Sequence, residues 1–216
     1  MSGMLRVVLK TRRIDCEQSA QRTYSYKARK VLRSFPGTIS IDSMIHVISY
    51  QPSWAAAFSA ESVRIEGAVV EVLVRMHHIG STAIPLTRAK PVIDILLEVS
   101  ALDALDQKSS QLVALGYEAK GEFGIAGRRY FRLDDADGTR KYQVHAFESD
   151  SLETRRHLAF RDYMNAHPAA AEAYGVLKVR LAVQSSGDMA TYIAGKDAFV
   201  KEHQRLALAW ASDLGD

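Results

Sequence analysis

Two neighbouring stretches of this sequence carry the side chains that are best suited to chemistry. The first is a turn of small residues, Gly80, Ser81 and Thr82, and the second is the segment 91–99, which contains Asp94 and Glu98. Glycine lets a backbone approach a ligand closely, and the two hydroxyls can contact a phosphate or cap a helix. Because a buried carboxylate without a partner is costly, we expect Asp94 to face a cleft, a cation or a ligand. The simpler interpretation is an ordinary loop followed by an ion-pair partner.

The elements around this turn follow from the hydrophobic pattern. Segment 91–99 opens with a proline and is mostly apolar and β-branched, which is typical of a buried strand, and a strand is also predicted for residues 71–79. Alternation places Ile93, Ile95, Leu97 and Val99 on a core face and Asp94 and Glu98 on the other. Further predictions are a strand over 45–50, helices from Pro52 and over 101–115, and a hairpin of strands 129–133 and 140–147.

Three helices are predicted in the last third of the chain, over 152–166, over 169–183 and from about residue 188. Each carries a basic residue on or beside its apolar stripe: Arg161, Lys178 and Lys196, respectively. A cation on a buried stripe needs an anion, either a carboxylate or a ligand phosphate. We therefore take these three, with Lys90 and Arg129, as candidate phosphate contacts. The alternative is that their stems run along the core edge and their charged heads pair with surface carboxylates.

Several separated motifs occur in an order that resembles one protein family. They include HIGSTAIP at 78–85, AKPVIDILLEV at 89–99 and GEFGIAGRRYF at 121–131, and further matching stretches extend to residue 199. This combination resembles the GrpB family, which belongs to the nucleotidyltransferase-like fold superfamily. The resemblance implies an α/β fold with a mixed sheet, flanking helices and a C-terminal helical segment. It also extends to the domain that is joined to dephospho-coenzyme A kinase in some bacteria, which makes that kinase a candidate partner.

The resemblance also implies a metal site and shows a departure from it. Active nucleotidyltransferases carry two acids at alternate positions of the strand after the Gly-Ser turn, and these hold divalent metals. Here Asp94 occupies the first position and Leu96 the second, while Glu98 lies on the same face about 7 Å beyond Leu96. His145 lies where a third acid is expected, so we expect it to share a cleft with Asp94. The competing interpretation is a histidine buried for packing.

Three functions are compatible with these residues. The leading hypothesis is a protein that binds a nucleotide or another phosphorylated small molecule with Mg²⁺, and that transfers a nucleotidyl or phosphoryl group. In it Asp94 and Ser81 are the catalytic candidates, Gly80, Ser81 and Thr82 approach the phosphates, and Asp94, Glu98 and His145 are the metal candidates. The rival is a non-catalytic ligand-binding or regulatory module linked to coenzyme A metabolism. The third is a metal-dependent phosphohydrolase that uses His78, Asp94 and His145.

Composition narrows the class of protein further. Residues 1–43 contain nine Lys and Arg against three Asp and Glu, a net +6, so the remaining residues carry −3 of the chain's total of +3. We predict a basic, poorly ordered extension over 1–43 and a GrpB-like domain over 44–216 that lacks an extended nucleic-acid surface. The single cysteine, Cys16, excludes an internal disulfide and a cysteine zinc cluster, and points to the cytoplasm. No apolar run is long enough to span a membrane.

Overall fold

The computed structural model describes residues 45–214, so the predicted extension over 1–43 lies outside the described residues. The described part contains five helices and five strands. In chain order they are α1 (Ser53–Val69), β1 (Leu73–Ile79), β2 (Ile93–Val99), α2 (Leu102–Ala114), β3 (Glu118–Ala119), β4 (Arg129–Asp134), β5 (Arg140–Glu148), α3 (Leu152–Ala166), α4 (Pro168–Gln184) and α5 (Met189–Leu214). A short 3₁₀ turn, Ser81–Ala83, follows β1.

The strands form one mixed sheet in the order β1-β2-β5-β4-β3. The central pair, β2 and β5, is parallel, and the other pairs are antiparallel. In this register Asp94 of β2 lies opposite Ile79 of β1 and Gln143 of β5. The predicted fold class, a mixed α/β sheet with flanking helices and a C-terminal helical segment, is confirmed.

The two faces of β2 are covered by different parts of the protein. The predicted core face, Ile93, Ile95, Leu97 and Val99, packs with α1 and α2, and none of these residues is more than 4% exposed. Burying each of these side chains stabilises the fold by about 1.5–3 kcal/mol relative to leaving it in water. The opposite face carries a smaller apolar cluster, Ile79, Leu96 and Phe147, which Leu158 of α3 covers. Asp94 therefore lies near the start of β2, at the edge of a face that is otherwise covered by apolar side chains.

Local sequence signals account for most helix boundaries. The Ser151 hydroxyl accepts a hydrogen bond from the Thr154 amide at 3.2 Å and caps the first turn of α3. Pro168 occupies the first position of α4, where a missing amide hydrogen costs nothing. The hairpin and the three C-terminal helices form as predicted. The predicted strand over 45–50 is wrong, because this segment makes only an isolated bridge between Ile48 and Ala89. No helix in the span 45–214 is long and apolar enough to cross a membrane.

Candidate functional site at the end of the central strand

The turn after β1 and the acid of β2 are in direct contact. Gly80 has φ +69° and ψ −170°, a conformation that L residues rarely adopt. A Cβ atom on residue 80 would lie 2.2 Å from Oδ2 of Asp94. Only glycine therefore lets this carboxylate lie against the backbone of the turn. The Asp94 side chain is 27% exposed, so the carboxylate is accessible from one side.

Ser81 and Lys178 are joined by a hydrogen bond. Nζ of Lys178, on α4, donates a hydrogen bond to Oγ of Ser81 at 2.7 Å and lies 4.1 Å from the centre of the Tyr174 ring. Lys178 is only 2% exposed. Burial and, to a smaller extent, the charge of Lys196 lower the pKa of Lys178 to about 7, while the charge of Asp94 opposes the shift.

Lys90, Lys178 and Lys196 form what we call the lysine cluster. They come from three separate parts of the chain: the loop before β2, helix α4 and helix α5. Burial lowers the pKa of each, the charge of Lys196 also lowers the pKa of Lys90 and Lys178, and the charge of Asp94 raises all three. Within residues 45–214 none of the three lies within 4 Å of a carboxylate. The charge of Asp94 thus acts on all three lysines.

His145 of β5 lies beside Asp94, with 3.7 Å between Nε2 and Oδ1. On its other side Nη1 of Arg128 lies 3.4 Å from Nδ1. Because a guanidinium can only donate, Nδ1 must accept, and a neutral His145 then carries its proton on Nε2, towards Asp94. In this arrangement neither ring nitrogen offers a free lone pair to a metal ion.

Two polar residues that the sequence did not single out complete this edge of the site. Gln143 lies opposite Asp94 in the sheet, and its Oε1 accepts a hydrogen bond from the Tyr130 hydroxyl at 2.8 Å. Arg140 donates to the same hydroxyl at 3.3 Å. The alternation of β5 in the sequence predicts that Gln143 and His145 lie on one face. It does not predict that β5 pairs with β2, and this pairing is what places Gln143 beside Asp94.

Glu98 is not available to a ligand at this site. It is 1% exposed, His77 Nε2 donates to its Oε1 at 2.6 Å, and Ser149 donates to its Oε2 at 3.0 Å. Burial opposes ionisation, yet these hydrogen bonds hold the pKa of Glu98 below its ordinary value. Leu96 lies between the two acids and is fully buried. The structure therefore does not bring Glu98 to Asp94, because both carboxylate oxygens are already used within the fold.

The side chains of Thr82 and His78 are also used in contacts within the fold. The Thr82 hydroxyl donates to the carbonyl of Val92 at 3.2 Å and accepts from Nε2 of His78 at 3.0 Å. His78 stacks on Phe58 of α1, with 4.9 Å between ring centres, and burial lowers its pKa to about 4. His78 thus packs on the core side of the sheet, opposite the face that carries Asp94. The arrangement does not support the phosphohydrolase hypothesis, which required His78 beside Asp94.

Two of the predicted phosphate contacts point elsewhere. Arg129 of β4 faces α2 and donates two hydrogen bonds of 2.6 Å to the carboxylate of Asp106. Arg161 of α3 donates to the His78 carbonyl at 3.2 Å and to Asp162 at 2.7 Å. Both follow the alternative interpretation, in which the charged head pairs with a carboxylate. Of the five predicted cations, the three of the lysine cluster are the ones without a carboxylate partner among residues 45–214.

The donors around Asp94 are few for a divalent metal. Across the described residues no group of three or more His, Cys, Asp or Glu side chains is arranged to hold a metal ion. Asp94 alone supplies a carboxylate at the turn, and Mg²⁺ is often held by one or two carboxylates together with ligand phosphates and water. The residues present thus fit a Mg²⁺ ion shared with a phosphorylated ligand, and they do not fit a cage made by the protein alone.

Comparison with known proteins agrees with the predicted resemblance. Residues 44–205 match the family described as GrpB protein. The chain is 42% identical over 166 residues to UPF0157 protein YqkA of Bacillus subtilis, covering 77% of this chain and 48% of YqkA, so it spans about half the length of that relative. It is 28% identical over 195 residues to dephospho-CoA kinase of Mycolicibacterium paratuberculosis, covering 79% of this chain and 48% of the kinase.

A solved structure has the same fold. The crystal structure of conserved protein GrpB from Enterococcus faecalis superposes with a TM-score of 0.73 and 37% sequence identity, covering 77% of this chain and 99% of that chain. The family match includes the Gly-Ser turn, Asp94 and the lysine cluster, all of which lie between residues 44 and 205. The chain belongs to the GrpB family.

Proposed function

We propose that the chain binds a phosphorylated small molecule, foremost a nucleotide, at the end of β2. The observation that carries this proposal is the lysine cluster: Lys178 is buried, Lys90 and Lys196 are partly buried, and none of the three lies within 4 Å of a carboxylate among residues 45–214. Burying like charges together is unfavourable unless an anion joins them. Lys178 already donates to the Ser81 hydroxyl, and a polyphosphate would supply negative charge and further oxygen acceptors to the three ammonium groups.

The turn contributes to the same task. The Ser81 hydroxyl already accepts a hydrogen bond from Lys178 at 2.7 Å, so it can turn its own proton towards a phosphate oxygen. Gly80 presents backbone without a side chain next to Asp94. Thr82 stays outside this role, because its hydroxyl is used by Val92 and His78.

Asp94 is the residue that would bind a divalent metal at this site. Mg²⁺ bound with the ligand would neutralise phosphate charge there. His145 lies on the other side of the same carboxylate, with 3.7 Å between Nε2 and Oδ1. Transfer of a nucleotidyl or phosphoryl group is the activity that we propose to test at this site.

A second candidate function, a ligand-binding module without catalysis, is favoured by Leu96. In place of a second acid this residue is fully buried between Ile79 and Phe147. The position is therefore part of an apolar cluster and offers no space for a metal ligand. Such a module would serve coenzyme A metabolism through a partner such as dephospho-coenzyme A kinase.

Ligand-induced stabilisation tests the shared part of both proposals. The melting temperature of the wild type would be measured against nucleoside triphosphates and coenzyme A precursors, with and without Mg²⁺. A ligand at a hundred times its dissociation constant adds about 2.7 kcal/mol to stability. Lys196→Met should lose this shift, whereas Lys201→Met should keep it, because Lys201 is an exposed residue of the same helix that pairs with Asp197. Equal shifts in both variants, or none in the wild type, would contradict the proposal.

Turnover then separates the two candidates. A wild type that releases pyrophosphate or phosphate from a stabilising nucleotide with Mg²⁺, and an Asp94→Ala variant that does not, would support transfer. A wild type that binds the nucleotide without turnover under the same conditions would support the binding module.

A further inference from the structure

Phe123 is an exposed aromatic residue in a strained conformation. It lies in the loop between β3 and β4, its side chain is 60% exposed, and its φ is +44°. Of the exposed large apolar residues in the described range, Phe123 is the one with a positive φ. A strained conformation persists only where surrounding contacts determine it, and such positions concentrate at ligand sites.

The contacts that hold Phe123 come from one buried arginine. Nη2 of Arg128 donates to the Phe123 carbonyl at 2.6 Å, and Nε donates to the Glu122 carbonyl at 3.1 Å. The Gly127 amide in turn donates to the Glu122 carboxylate at 2.7 Å. Arg128 is only 6% exposed. Arg128 therefore holds the backbone of the loop at residues 122 and 123, from which the Phe123 ring projects.

The same arginine connects this loop to the candidate site. Nη1 of Arg128 lies 3.4 Å from Nδ1 of His145, which lies beside Asp94. The ring of Phe123 stacks on Tyr130, with 5.1 Å between centres and 14° between planes, and Tyr130 lies 5.3 Å from His145. One row of contacting side chains thus runs from Phe123 through Tyr130 and His145 to Asp94.

We propose that the open face of Phe123 is a stacking platform for a planar heteroaromatic ring of the ligand, namely the base of a nucleotide whose phosphates contact the lysine cluster. This inference rests on the proposed function and adds a second point of recognition to it. One face of Phe123 is covered by Tyr130, and an aromatic ring is the group that continues such a stack. Because a phenyl ring has no polar atom, the platform accepts every base with little preference.

The test compares two ligands with the same phosphate chain, ATP and inorganic tripolyphosphate, by isothermal titration. Base–aromatic stacking makes Phe123→Ala bind ATP about 5- to 100-fold more weakly than the wild type. Its affinity for tripolyphosphate stays unchanged, and Phe123→Tyr, which keeps the ring, binds ATP as the wild type does. Val113→Ala, a truncation of an exposed apolar residue on α2, serves as the control and leaves both affinities unchanged.

The outcomes separate the platform from the phosphate site. Wild-type protein that binds tripolyphosphate as tightly as ATP, or a Phe123→Ala variant with unchanged ATP affinity, would overturn the platform and leave the phosphate site standing. A Phe123→Ala variant that loses both ligands equally would also overturn it, because the effect would not come from the ring. If the wild type binds neither ligand, the phosphate site fails and the platform fails with it.

Discussion

Residue 80 and Asp94 are so close that a methyl group on residue 80 would lie 2.2 Å from the Asp94 carboxylate. The two residues belong to different elements, the turn after β1 and the strand β2, and Asp94 lies opposite Ile79 in the sheet. The position of the acid and the conformation of the turn are therefore set together. A change at either residue should affect both stability and ligand binding.

Gly80→Ala should destabilise the protein more than an alanine at another left-handed glycine. The comparison is Gly138→Ala, because Gly138 has φ +82° and a Cβ atom added there would meet nothing within 4 Å. Gly138→Ala should cost about 1–2 kcal/mol from backbone strain alone. Gly80, with φ +69° and ψ −170°, lies in a region that is essentially confined to glycine, so Gly80→Ala combines backbone strain with a steric clash with Asp94. Urea unfolding of both variants measures the difference, and equal losses of stability would show that the contact with Asp94 is unimportant.

How far the sequence predicted this structure depends on the range of the interactions. The alternation of β2 correctly separated Ile93 and Leu97 from Asp94, because strand periodicity is a local property. The apolar stripes of the last two helices correctly marked Lys178 and Lys196 as inward-facing. Residues 45–50 also alternate in character, but their backbone finds one bridging partner and no strand forms.

Partners that are distant in the sequence were beyond the reach of such patterns. Arg129 finds its carboxylate in Asp106, 23 residues away, and Arg161 binds the carbonyl of His78, 83 residues away. No local periodicity indicates either pair. Gln143 and Arg128 were missed for the same reason, since their proximity to Asp94 and His145 depends on the pairing of β5 with β2 and on the folding of the loop before β4.

The stability of the protein should depend on the titration of Lys178. Its pKa in the folded state is about 7, against an ordinary value of 10.5. Below pH 7 both states hold the proton, and the cost of the buried charge is present in full. Between pH 7 and 10.5 the folded state releases the proton while the unfolded state keeps it, so the free energy of unfolding rises with pH.

Urea unfolding of the wild type and Lys178→Met at pH 7 and pH 9 measures this effect. The wild type should gain on the order of 2 kcal/mol relative to the variant over this interval. Lys201→Met is the control, because Lys201 is largely exposed and should follow the wild type. A difference between wild type and Lys178→Met that does not change with pH would mean that Lys178 keeps an ordinary pKa.

Ligand affinity should fall over the same range of pH. A bound phosphate favours the protonated form of Lys178, so binding takes up a proton when the free amine is neutral. The affinity for tripolyphosphate should therefore decrease from pH 7 to pH 9, and the decrease should be smaller in Lys178→Met. Isothermal titration in two buffers with different ionisation enthalpies counts the proton directly. Binding without proton uptake at pH 8 would contradict this account.

Asp94 and Glu98 should respond differently to loss of charge. Glu98→Gln breaks a buried contact with His77 and should cost about 1–3 kcal/mol of stability without changing the ligand-induced shift in melting temperature. Asp94→Asn should abolish the Mg²⁺-dependent part of that shift. Loss of the Mg²⁺-dependent shift in Glu98→Gln would contradict this assignment and would indicate that Glu98 binds the metal ion.

The central claim is that the lysine cluster binds phosphate, and the pKa of Lys178 tests it most directly. Nuclear magnetic resonance of the Nζ group would follow its titration without ligand and with saturating ATP, with exposed Lys201 as an internal reference. For Lys178 we predict a pKa of about 7 without ligand and a rise of at least about one unit with ATP. A Lys178 pKa that is unchanged by ATP and by tripolyphosphate would contradict the claim.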